Sequence, residues 1–285
     1  FLEELRGNLA FRQLDEESID QMVAHFSELD LSQWEFQYEK GNFTIPFPTK
    51  VKGDDTFTVP LSKFYDVIDT ERLLPDDLAS YQSYIEERHR KMIALTFDDG
   101  PDPTTTPQAL AILKKYNAKA TFFMIGKNVS ANPDIAKQVR KEGHQIGNHT
   151  WDHPQLPKLS LDNAKKEILD TQEAIQKATG VQTKITRPPY GAINNAIQYS
   201  VDQSFIMWDV DSLDWKTHNT TAILNEVKKE VKPGSIILMH DIHQTTIDAL
   251  PTVLDYLKSQ GYTFVTVDEL FDYQLESHRI YYNGN

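Results

Sequence analysis

The sequence contains no cysteine, and this absence excludes several kinds of site. Without thiols there are no disulfide bridges, no thiolate metal ligands and no cysteine nucleophile. Long hydrophobic runs are also missing, because no stretch approaches the roughly 20 apolar residues of a membrane span. No signal-peptide pattern is present. The chain begins at Phe1, and we expect it to be a fragment of a longer protein that lacks its targeting segment.

Positive charge is scarce, since 29 Lys and Arg stand against 42 Asp and Glu and give a net charge of −13. This balance argues against binding to nucleic acid or to an anionic membrane, because both need clustered basic side chains. A glycine-rich phosphate loop is absent as well. With 285 residues and 39% hydrophobic side chains, the composition is that of a globular protein with one large domain or two modest ones.

The pattern of the sequence changes near residue 90. Before this point we predict helices and strands at residues 15–30, 33–47, 56–61 and 75–91. No catalytic constellation is found there, and His25 and His89 are interpreted as surface residues. We therefore predict a small α+β accessory domain over residues 1–90, followed by a catalytic domain over residues 91–285.

Seven short apolar runs alternate with helical stretches in the second region. We predict strands at residues 92–97, 119–126, 144–149, 183–187, 204–211, 235–241 and 263–267. Short apolar strands joined by helical crossovers indicate a parallel sheet that is covered on both faces. Seven of them favour a barrel over an open sheet. The predicted fold class is α/β, an irregular (β/α) barrel with fewer than eight regular strands.

Polar side chains follow most of these predicted strands. They are Asp98 and Asp99, His149 and His153, Arg187, Asp211 and Asp214 with Trp215, and His240. Each group alone has an ordinary explanation: a turn, a rigid loop or a core histidine. In a barrel, however, all these strand ends open onto one face, where barrel enzymes carry out their chemistry. Five such groups on one rim indicate a single site.

The composition of this rim indicates metal chemistry. His149 and His153 are four residues apart, which on a helical turn places both rings on one side. Two histidines and a carboxylate are a ligand set typical of divalent metals such as zinc. Asp98 and Asp99 are adjacent, and neighbouring strand residues point to opposite faces, so the two acids would have different tasks. These parts suit metal-assisted hydrolysis of an acyl bond.

Residues 91–270 resemble the polysaccharide deacetylases of carbohydrate esterase family four, which contain the NodB homology domain. All five motifs of that family occur in order: TFDDGP (96–101), HTWDH (149–153), RPPYG (187–191), DSLDW (211–215) and LMH (238–240). The segments SFIMWDVDSLDWK and GSIILMHDIH resemble in particular the peptidoglycan N-acetylglucosamine deacetylases of Gram-positive bacteria. Residues 1–90 are more weakly similar to the small domain that precedes the catalytic domain in those enzymes.

The resemblance implies a role for each motif residue. One divalent metal ion, with zinc expected ahead of cobalt and other first-row metals, would be held by Asp99, His149 and His153. Asp98 would be the general base, kept ionised by Arg187. His240 would donate a proton to the leaving sugar nitrogen, and Asp214 would keep His240 charged. The remaining motif residues would bind substrate. The backbone N–H of Tyr190 would stabilise the oxyanion, and Trp215 and Leu238 would enclose the acetyl methyl group.

Several expectations and alternatives accompany this interpretation. The expected partner is peptidoglycan, and the expected location is the bacterial cell wall or the extracellular space, with an anchor outside this fragment. Chitin, poly-N-acetylglucosamine or acetylxylan are alternative substrates, and a non-catalytic wall-binding module or a two-metal phosphodiesterase are alternative functions. His144 is assigned to a strand entry, Asp209 and Asp211 to ordering the loop that carries Asp214, and Asp241 and His243 to the rim without a fixed role.

Overall fold

The computed structural model of this chain describes Leu5, Leu9 and residues 16–28, 37–39, 41–51, 54–64 and 73–284. The chain folds into two compact units, Phe1–Glu86 and Glu87–Asn285. Within the described ranges, no helix combines the length and the apolar character that crossing a bilayer requires. Residues 15, 29–30, 33–36 and 40 of the predicted elements, and the side chain of His89, lie outside what the structure describes.

The first unit combines helices with a small antiparallel sheet. The elements up to residue 90 are α1 (Glu16–Glu28), β1 (Gln37–Glu39), β2 (Asn42–Val51), β3 (Asp54–Pro60), a 3-10 turn (Leu61–Phe64) and α2 (Pro75–Arg90). The sheet order is β1-β2-β3, and both pairings are antiparallel. Gly41 lies between β1 and β2 with φ 75, a left-handed conformation that suits glycine. The buried core of this unit contains Leu5, Leu9, Ile19, Ile45, Phe47, Val51, Phe57 and Val59.

The second unit is built on one parallel sheet of nine strands. They are β4 (Met92–Asp98), β5 (Thr121–Met124), β6 (Gln145–Asn148), β7 (Ile185–Thr186), β8 (Ser204–Ile206), β9 (Val210–Asp211), β10 (Ile236–His240), β11 (Thr263–Val265) and β12 (Ile280–Tyr281). The order is β12-β8-β7-β6-β5-β4-β10-β9, and β11 also pairs with β4. Every strand pair is parallel, so the carboxyl ends of the strands lie along one edge.

Helices connect most of these strands. They are α3 (Thr106–Lys115), α4 (Gly126–Ala131), α5 (Pro133–Lys141), α6 (Leu161–Thr179), α7 (Asn195–Gln198), α8 (Asp214–Thr217), α9 (Thr220–Glu230), α10 (Gln244–Ser259) and α11 (Val267–Leu270), with 3-10 turns at Leu156–Lys158 and Pro189–Gly191. The longest, α6, begins after Ser160, whose side chain accepts a hydrogen bond from the N–H of Asn163, and ends at Gly180 with φ 74. These are the expected cap residues of a helix.

The two faces of the sheet bury different sets of side chains. On β4, Ile93, Leu95 and Phe97 belong to the core that packs against the helices. The alternate residues Met92 and Ala94 belong to a second core on the other face of the strand. Because strand side chains alternate between faces, Thr96 and Asp98 continue the row of Met92 and Ala94. The last residue of this buried strand therefore directs its carboxylate to the inner face of the curled sheet.

The predicted α/β fold class is confirmed, and three details differ from the prediction. The sheet has nine strands instead of seven, since the run 204–211 contains both β8 and β9 and the two-residue strand β12 was not predicted. The run 33–47 likewise contains β1 and part of β2. The sheet is a curled half-barrel with β9 and β12 at its ends, and no strand pairing within residues 73–284 joins them. Very short strands escape a periodicity analysis because two residues establish no alternation.

Candidate active site

The register between β4 and β10 places the two proposed proton-transfer residues side by side. Asp98 is the last residue of β4, and His240 is the last residue of β10. The two are direct partners across the parallel strand pair. Leu238 lies two residues before His240 and therefore faces the same side of the sheet. Three of the predicted site residues are thus positioned by strand pairing alone.

Asp99, His149 and His153 form a cluster suited to one metal ion. One potential ligand atom from each residue lies within 4.8 Å of those from the other two. The Oδ1 atom of Asp99 is 3.4 Å from Nε2 of His149 and 3.5 Å from Nε2 of His153. This oxygen is buried and has no hydrogen-bond partner within the described part of the chain. A buried carboxylate oxygen without a donor fits a metal ligand, because its desolvation is otherwise uncompensated.

The protonation of His149 also fits this role. Its Nδ1 lies 2.7 Å from the backbone carbonyl oxygen of Arg187. A carbonyl only accepts, so Nδ1 carries the proton and Nε2 presents its lone pair to the cluster. Burial lowers the pKa of His149 to about 3, which keeps the imidazole neutral. Neutral imidazole is the form that binds metals.

Asp98 and Asp99 differ in environment, although not for the reason predicted from the strand pattern. Asp99 does not continue the strand, because its φ of 74 lies in the left-handed region. Both carboxylates turn toward the same imidazole: Oδ2 of Asp98 is 3.5 Å and Oδ1 of Asp99 is 3.4 Å from Nε2 of His149. The expectation that they face opposite sides is therefore wrong. Asp98 is buried, whereas Asp99 is partly exposed beside His153.

The pair His149 and His153 also meets in a different way from the one predicted. Residues 149–153 form an irregular turn, and Thr150 and His153 both have φ 67. The ring centres of the two histidines are 5.0 Å apart. A carboxylate on α6, Glu167, holds the turn by accepting the backbone N–H of Trp151 at 2.8 Å. The expected helical turn is wrong, and tertiary contacts bring the rings together instead.

Arg187 is completely buried and reaches Asp98 from beneath the cavity. Its Nη1 donates to Oδ1 of Asp98 at 2.8 Å and to Oγ1 of Thr96 at 2.7 Å. Its Nε and Nη2 donate to the backbone carbonyls of Ile206 and Met207 at 3.0 and 2.9 Å. The guanidinium also lies over the ring of Phe123, with Cζ 4.2 Å from the ring centre. These contacts fix the direction in which the carboxylate of Asp98 points.

Burial and Arg187 act on Asp98 in opposite directions. Burial raises the pKa of Asp98 above its ordinary value, and the guanidinium of Arg187 is the largest opposing influence. The predicted effect of Arg187 is thus present, but burial exceeds it. A carboxylate with a raised pKa is a stronger base than an exposed aspartate, which suits proton abstraction near neutral pH.

His240 is paired with a buried carboxylate. Its Nδ1 is 2.8 Å from Oδ1 of Asp214, and its backbone N–H donates to Oδ2 of Asp214 at 2.7 Å. Thr246, in the first turn of α10, donates its hydroxyl to the same Oδ2 at 2.7 Å. Burial acts to lower the pKa of His240, but the hydrogen bond and charge of Asp214 exceed it and raise this pKa to about 9. His240 is therefore charged at neutral pH.

A cavity of about 400 Å³ opens above these residues. It is lined by Asp98, Asp99, His149, His153, Tyr190, Trp208, Asp211, Trp215, Leu238 and His240. Tyr190, at φ 59, is 67% exposed, and its ring lies edge-on to His153 at 4.7 Å. Arg187 and Asp214 do not line the cavity and are fully buried. They contact Asp98 and His240, which makes them positioning residues.

The structure also adds residues that sequence patterns did not single out. Trp208 lines the cavity; it fell inside the predicted strand 204–211, whereas the structure places it between β8 and β9. Thr96 and Thr246 complete the hydrogen bonding of Arg187 and Asp214. Thr96 belongs to the TFDDGP motif but was given no role, and Thr246 lies within a helix where no local signal marks it.

The three polar residues to which structural roles were assigned fall at different places. His144 directly precedes β6, and its Nδ1 accepts the N–H of Ala120 at 3.2 Å. Asp211 orders the loop before Asp214 by accepting the N–H of Leu213 at 2.9 Å. Asp209 instead accepts the N–H of Ile236 at 2.8 Å, so its expected part in that loop is wrong.

The fold and the site define an α/β protein with a candidate metal-binding cavity, and comparison with known proteins identifies the family. The sequence model described as polysaccharide deacetylase matches residues 85–204. A second model, described as the peptidoglycan GlcNAc deacetylase N-terminal domain, matches residues 1–82. The chain belongs to the polysaccharide deacetylase family.

Three relatives illustrate the similarity. The peptidoglycan-N-acetylglucosamine deacetylase PgdA of Listeria monocytogenes is 40% identical over 256 residues, which are 89% of this chain and 55% of that protein. A peptidoglycan-N-acetylglucosamine deacetylase of Bacillus cereus is 35% identical over 84% of this chain and 93% of its own. The cobalt complex of a family 4 acetyl xylan esterase from Clostridium thermocellum is 36% identical, with a TM-score of 0.64 over 68% of this chain and 98% of that one. This chain spans about half the length of the Listeria protein.

Proposed function

We propose that this protein hydrolyses the N-acetyl group of N-acetylglucosamine residues in peptidoglycan and releases acetate. The observation that carries the proposal is the arrangement around one cavity of a three-ligand cluster, a buried carboxylate and a charged histidine. The family membership and the names of the Listeria and Bacillus relatives support the substrate.

Asp99, His149 and His153 would hold one divalent metal ion, and we propose zinc. When bound, such an ion polarises a carbonyl oxygen and makes a coordinated water more acidic. The neutral His149 and the donor-free oxygen of Asp99 support this assignment. Metal analysis of the purified protein, followed by chelation and restoration with zinc, cobalt or manganese, tests the choice of ion.

The two proton transfers are assigned to different strands. Asp98, at the end of β4, takes the proton from the attacking water, while Arg187 holds its carboxylate in one orientation. His240, at the end of β10, gives a proton to the departing sugar nitrogen, and Asp214 keeps it charged until then. An amine is a poor leaving group unless it is protonated, so the elevated pKa of His240 serves this step.

The substrate is positioned by the rim of the cavity. We assign the oxyanion to the backbone N–H of Tyr190, which the left-handed loop after β7 brings to the cavity. Trp215 and Leu238 border the same space and would enclose the methyl group of the acetamide. Trp215 is 49% exposed, which leaves one side of this enclosure open to a polymer chain.

Acetate release from peptidoglycan and from chitooligosaccharides is the direct test. We expect acetate with the metal-loaded protein and none after chelation. Acetylxylan belongs in the same assay, because the Clostridium relative is named for that substrate. If no N-acetylated polymer releases acetate, the deacetylase proposal is refuted. If acetylxylan alone releases acetate, the protein is an esterase instead.

Two variants test the division of labour between base and ligand. Asp98→Asn removes the base but leaves the three ligands, so we expect retained metal and turnover reduced by about 10²–10⁴-fold. His149→Ala removes a ligand, and we expect loss of both metal and turnover. Metal content and acetate release are measured on the same samples. Loss of the metal from Asp98→Asn would show that Asp98 is itself a ligand.

We also propose that the full-length protein acts in the bacterial cell wall, outside the cytoplasm. The support for this location is the proposed polymer substrate itself. Immunodetection in wall, membrane and cytoplasmic fractions of the source cell tests it, and a purely cytoplasmic signal would contradict it.

A further inference from the structure

Two histidines outside the proposed catalytic set lie together on the rim of the cavity. His218 ends α8 and His243 precedes α10, so they come from the loops after the neighbouring strands β9 and β10. Their ring centres are 4.9 Å apart with an interplanar angle of 83°. The ring of His243 is also 6.0 Å from that of His240. The pair is therefore adjacent to the proposed general acid.

We propose that His218 and His243 form a second site for a divalent transition-metal ion, separate from the ligand cluster around Asp99.

The spacing of the pair carries this proposal. Two imidazoles bound to one tetrahedral ion, at metal–nitrogen distances near 2.0 Å, bring their ring centres to about 5 Å. The pair His149 and His153 of the first site has its centres 5.0 Å apart. The spacing of His218 and His243 is nearly the same. The ring centres of both pairs are therefore at the separation that two imidazole ligands of one ion require.

The ring nitrogens of this pair are available as ligands. His149, His240 and His144 each have a ring nitrogen hydrogen-bonded to the protein. Within residues 73–284, no hydrogen bond involves a ring nitrogen of His218 or His243. His218 is exposed and His243 is partly exposed. Both rings can therefore turn a lone pair toward an ion without giving up a hydrogen bond.

Charge and backbone conformation are consistent with a binding site. Burial and the neighbouring His240 and His218 outweigh the carboxylates of Asp214 and Asp99 and lower the pKa of His243, so its imidazole is neutral, which is the form that binds metals. His218 has φ 44, a left-handed conformation that is costly for a residue with a side chain. This conformation directs the end of α8 so that His218 meets His243. Such strain is concentrated at functional sites.

An ion at this pair would act on catalysis through His240. A doubly charged cation beside the imidazolium of His240 makes its charged form less favourable. Excess metal is therefore expected to inhibit the enzyme while the first site stays loaded. This regulatory consequence rests on the proposed deacetylase function, whereas the existence of the second site does not.

Zinc binding measured by calorimetry and by equilibrium dialysis tests the proposal on the metal-free protein. We expect one tight and one weaker equivalent for the wild-type chain. The double variant His218→Ala/His243→Ala should bind the tight equivalent only. His25→Ala, which removes an exposed histidine far along the sequence, is the matched control and should keep both equivalents.

Acetate release at increasing zinc provides the second measurement. At pH 7.5 we expect activity to peak near one equivalent and to fall by about tenfold when the second site fills, which corresponds to a drop in the pKa of His240 from about 9 to about 6.5. The double variant should keep its activity under the same excess of zinc. If the protein proves inactive on every substrate, the zinc stoichiometry still decides whether the second site exists.

Two results would overturn the proposal. One is a single zinc equivalent on the wild-type protein, which would leave His218 and His243 as an edge-to-face aromatic contact. The other is a second equivalent that persists in the double variant, which would place it elsewhere on the surface. If the double variant fails to fold, the single variants His218→Asn and His243→Asn replace it, and each should weaken the second equivalent at least about tenfold.

Discussion

The coupling between Asp214 and His240 allows a quantitative prediction. Asp214 is fully buried and contacts His240 through Oδ1 at 2.8 Å from Nδ1 and Oδ2 at 2.7 Å from the backbone nitrogen. With this carboxylate the pKa of His240 is about 9, against an ordinary value of 6.5. The difference of about 2.5 pH units corresponds to roughly 3 kcal/mol that favours the charged imidazole. Asp214→Asn removes this charge, and burial is then opposed only by the weaker influence of Asp98 and Asp99, so the pKa of His240 should fall to about 6.5 or below.

The expected loss of activity depends on pH in a specific way. At pH 7.5 a histidine with a pKa of 9 is about 97% protonated, whereas one with a pKa of 6.5 is about 9% protonated. Asp214→Asn should therefore lose about tenfold or more in kcat/KM at pH 7.5. At pH 6 the protonated fraction of the variant rises to about 76% if its pKa is 6.5, and most of the loss should disappear. Because a general acid must be protonated, the alkaline limb of the profile moves from near pH 9 down to pH 6.5 or lower.

The assay is acetate release from a chitooligosaccharide between pH 5.5 and 9.5, expressed as the ratio of variant to wild type at each pH. Both proteins lose activity at low pH when Asp98 becomes protonated, and dividing one pH profile by the other cancels this shared loss. An NMR titration of the His240 imidazole gives the same pKa without relying on turnover. Asp248→Asn, an exposed substitution on α10, is the control and should leave the alkaline limb in place. A constant ratio at all pH values, or an alkaline limb that stays near pH 9, would refute the coupling.

Two further predictions concern stability. A Cβ atom on Gly100 would lie 2.6 Å from both carboxylate oxygens of the buried Asp241, so Gly100→Ala should cost about 1–3 kcal/mol in unfolding free energy and reduce turnover. Gly180 has φ 74 and open space around it, so Gly180→Ala should cost roughly 1 kcal/mol in unfolding free energy without changing turnover. Denaturant unfolding and acetate release are measured on both variants. Equal turnover in Gly100→Ala and Gly180→Ala would contradict the prediction for Gly100. His144 is buried, and burial lowers its pKa to about 4 in the folded protein. In the unfolded chain this histidine binds a proton at a higher pH, near 6.5, so acid favours unfolding. The free energy of unfolding should therefore fall by about 3 kcal/mol as the pH drops from 6.5 to 4. His144→Gln should flatten that dependence in urea unfolding series, and an unchanged slope would show that another group causes the acid sensitivity.

The sequence was sufficient to predict which residues gather at the site, because of a general property of parallel sheets. Most candidates lie at the end of a strand or just after it, and all strands in this sheet run in the same direction. Their carboxyl ends consequently lie along one edge, whatever the length or order of the strands. This is why the predicted residues lie together even though the predicted strand number was wrong. What it did not provide was the register that makes Asp98 and His240 direct neighbours.

The features that were not predicted share a different origin. Asp99, Thr150, His153 and Tyr190 all have positive φ although none is glycine. Such conformations are locally unfavourable, so no propensity or periodicity indicates them. They persist because distant groups hold the loops, for example Asn128, whose side-chain amide donates to the backbone carbonyl of Asp99 at 2.7 Å. Information of this kind is contained in the tertiary structure rather than in any short segment.

The different partners of Asp98 and Asp99 bear directly on the mechanism. Adjacency on a strand would have separated the two carboxylates by face, but both lie near Nε2 of His149. Asp98 is bound by Arg187, while Oδ1 of Asp99 has no donor within the described residues. Because Arg187 occupies one oxygen of Asp98, this carboxylate should bind a metal ion less strongly. Asp99, whose Oδ1 accepts no hydrogen bond from the described residues, should bind it more strongly. Replacing Arg187 with Met should therefore reduce turnover, because the carboxylate of Asp98 is no longer held in place. The same substitution frees an oxygen of Asp98 to act as a metal ligand, so Asp98 should begin to contribute to metal affinity. Equilibrium dialysis with zinc, on Arg187→Met with and without Asp98→Asn, measures that contribution, and equal affinities in the two variants would contradict it.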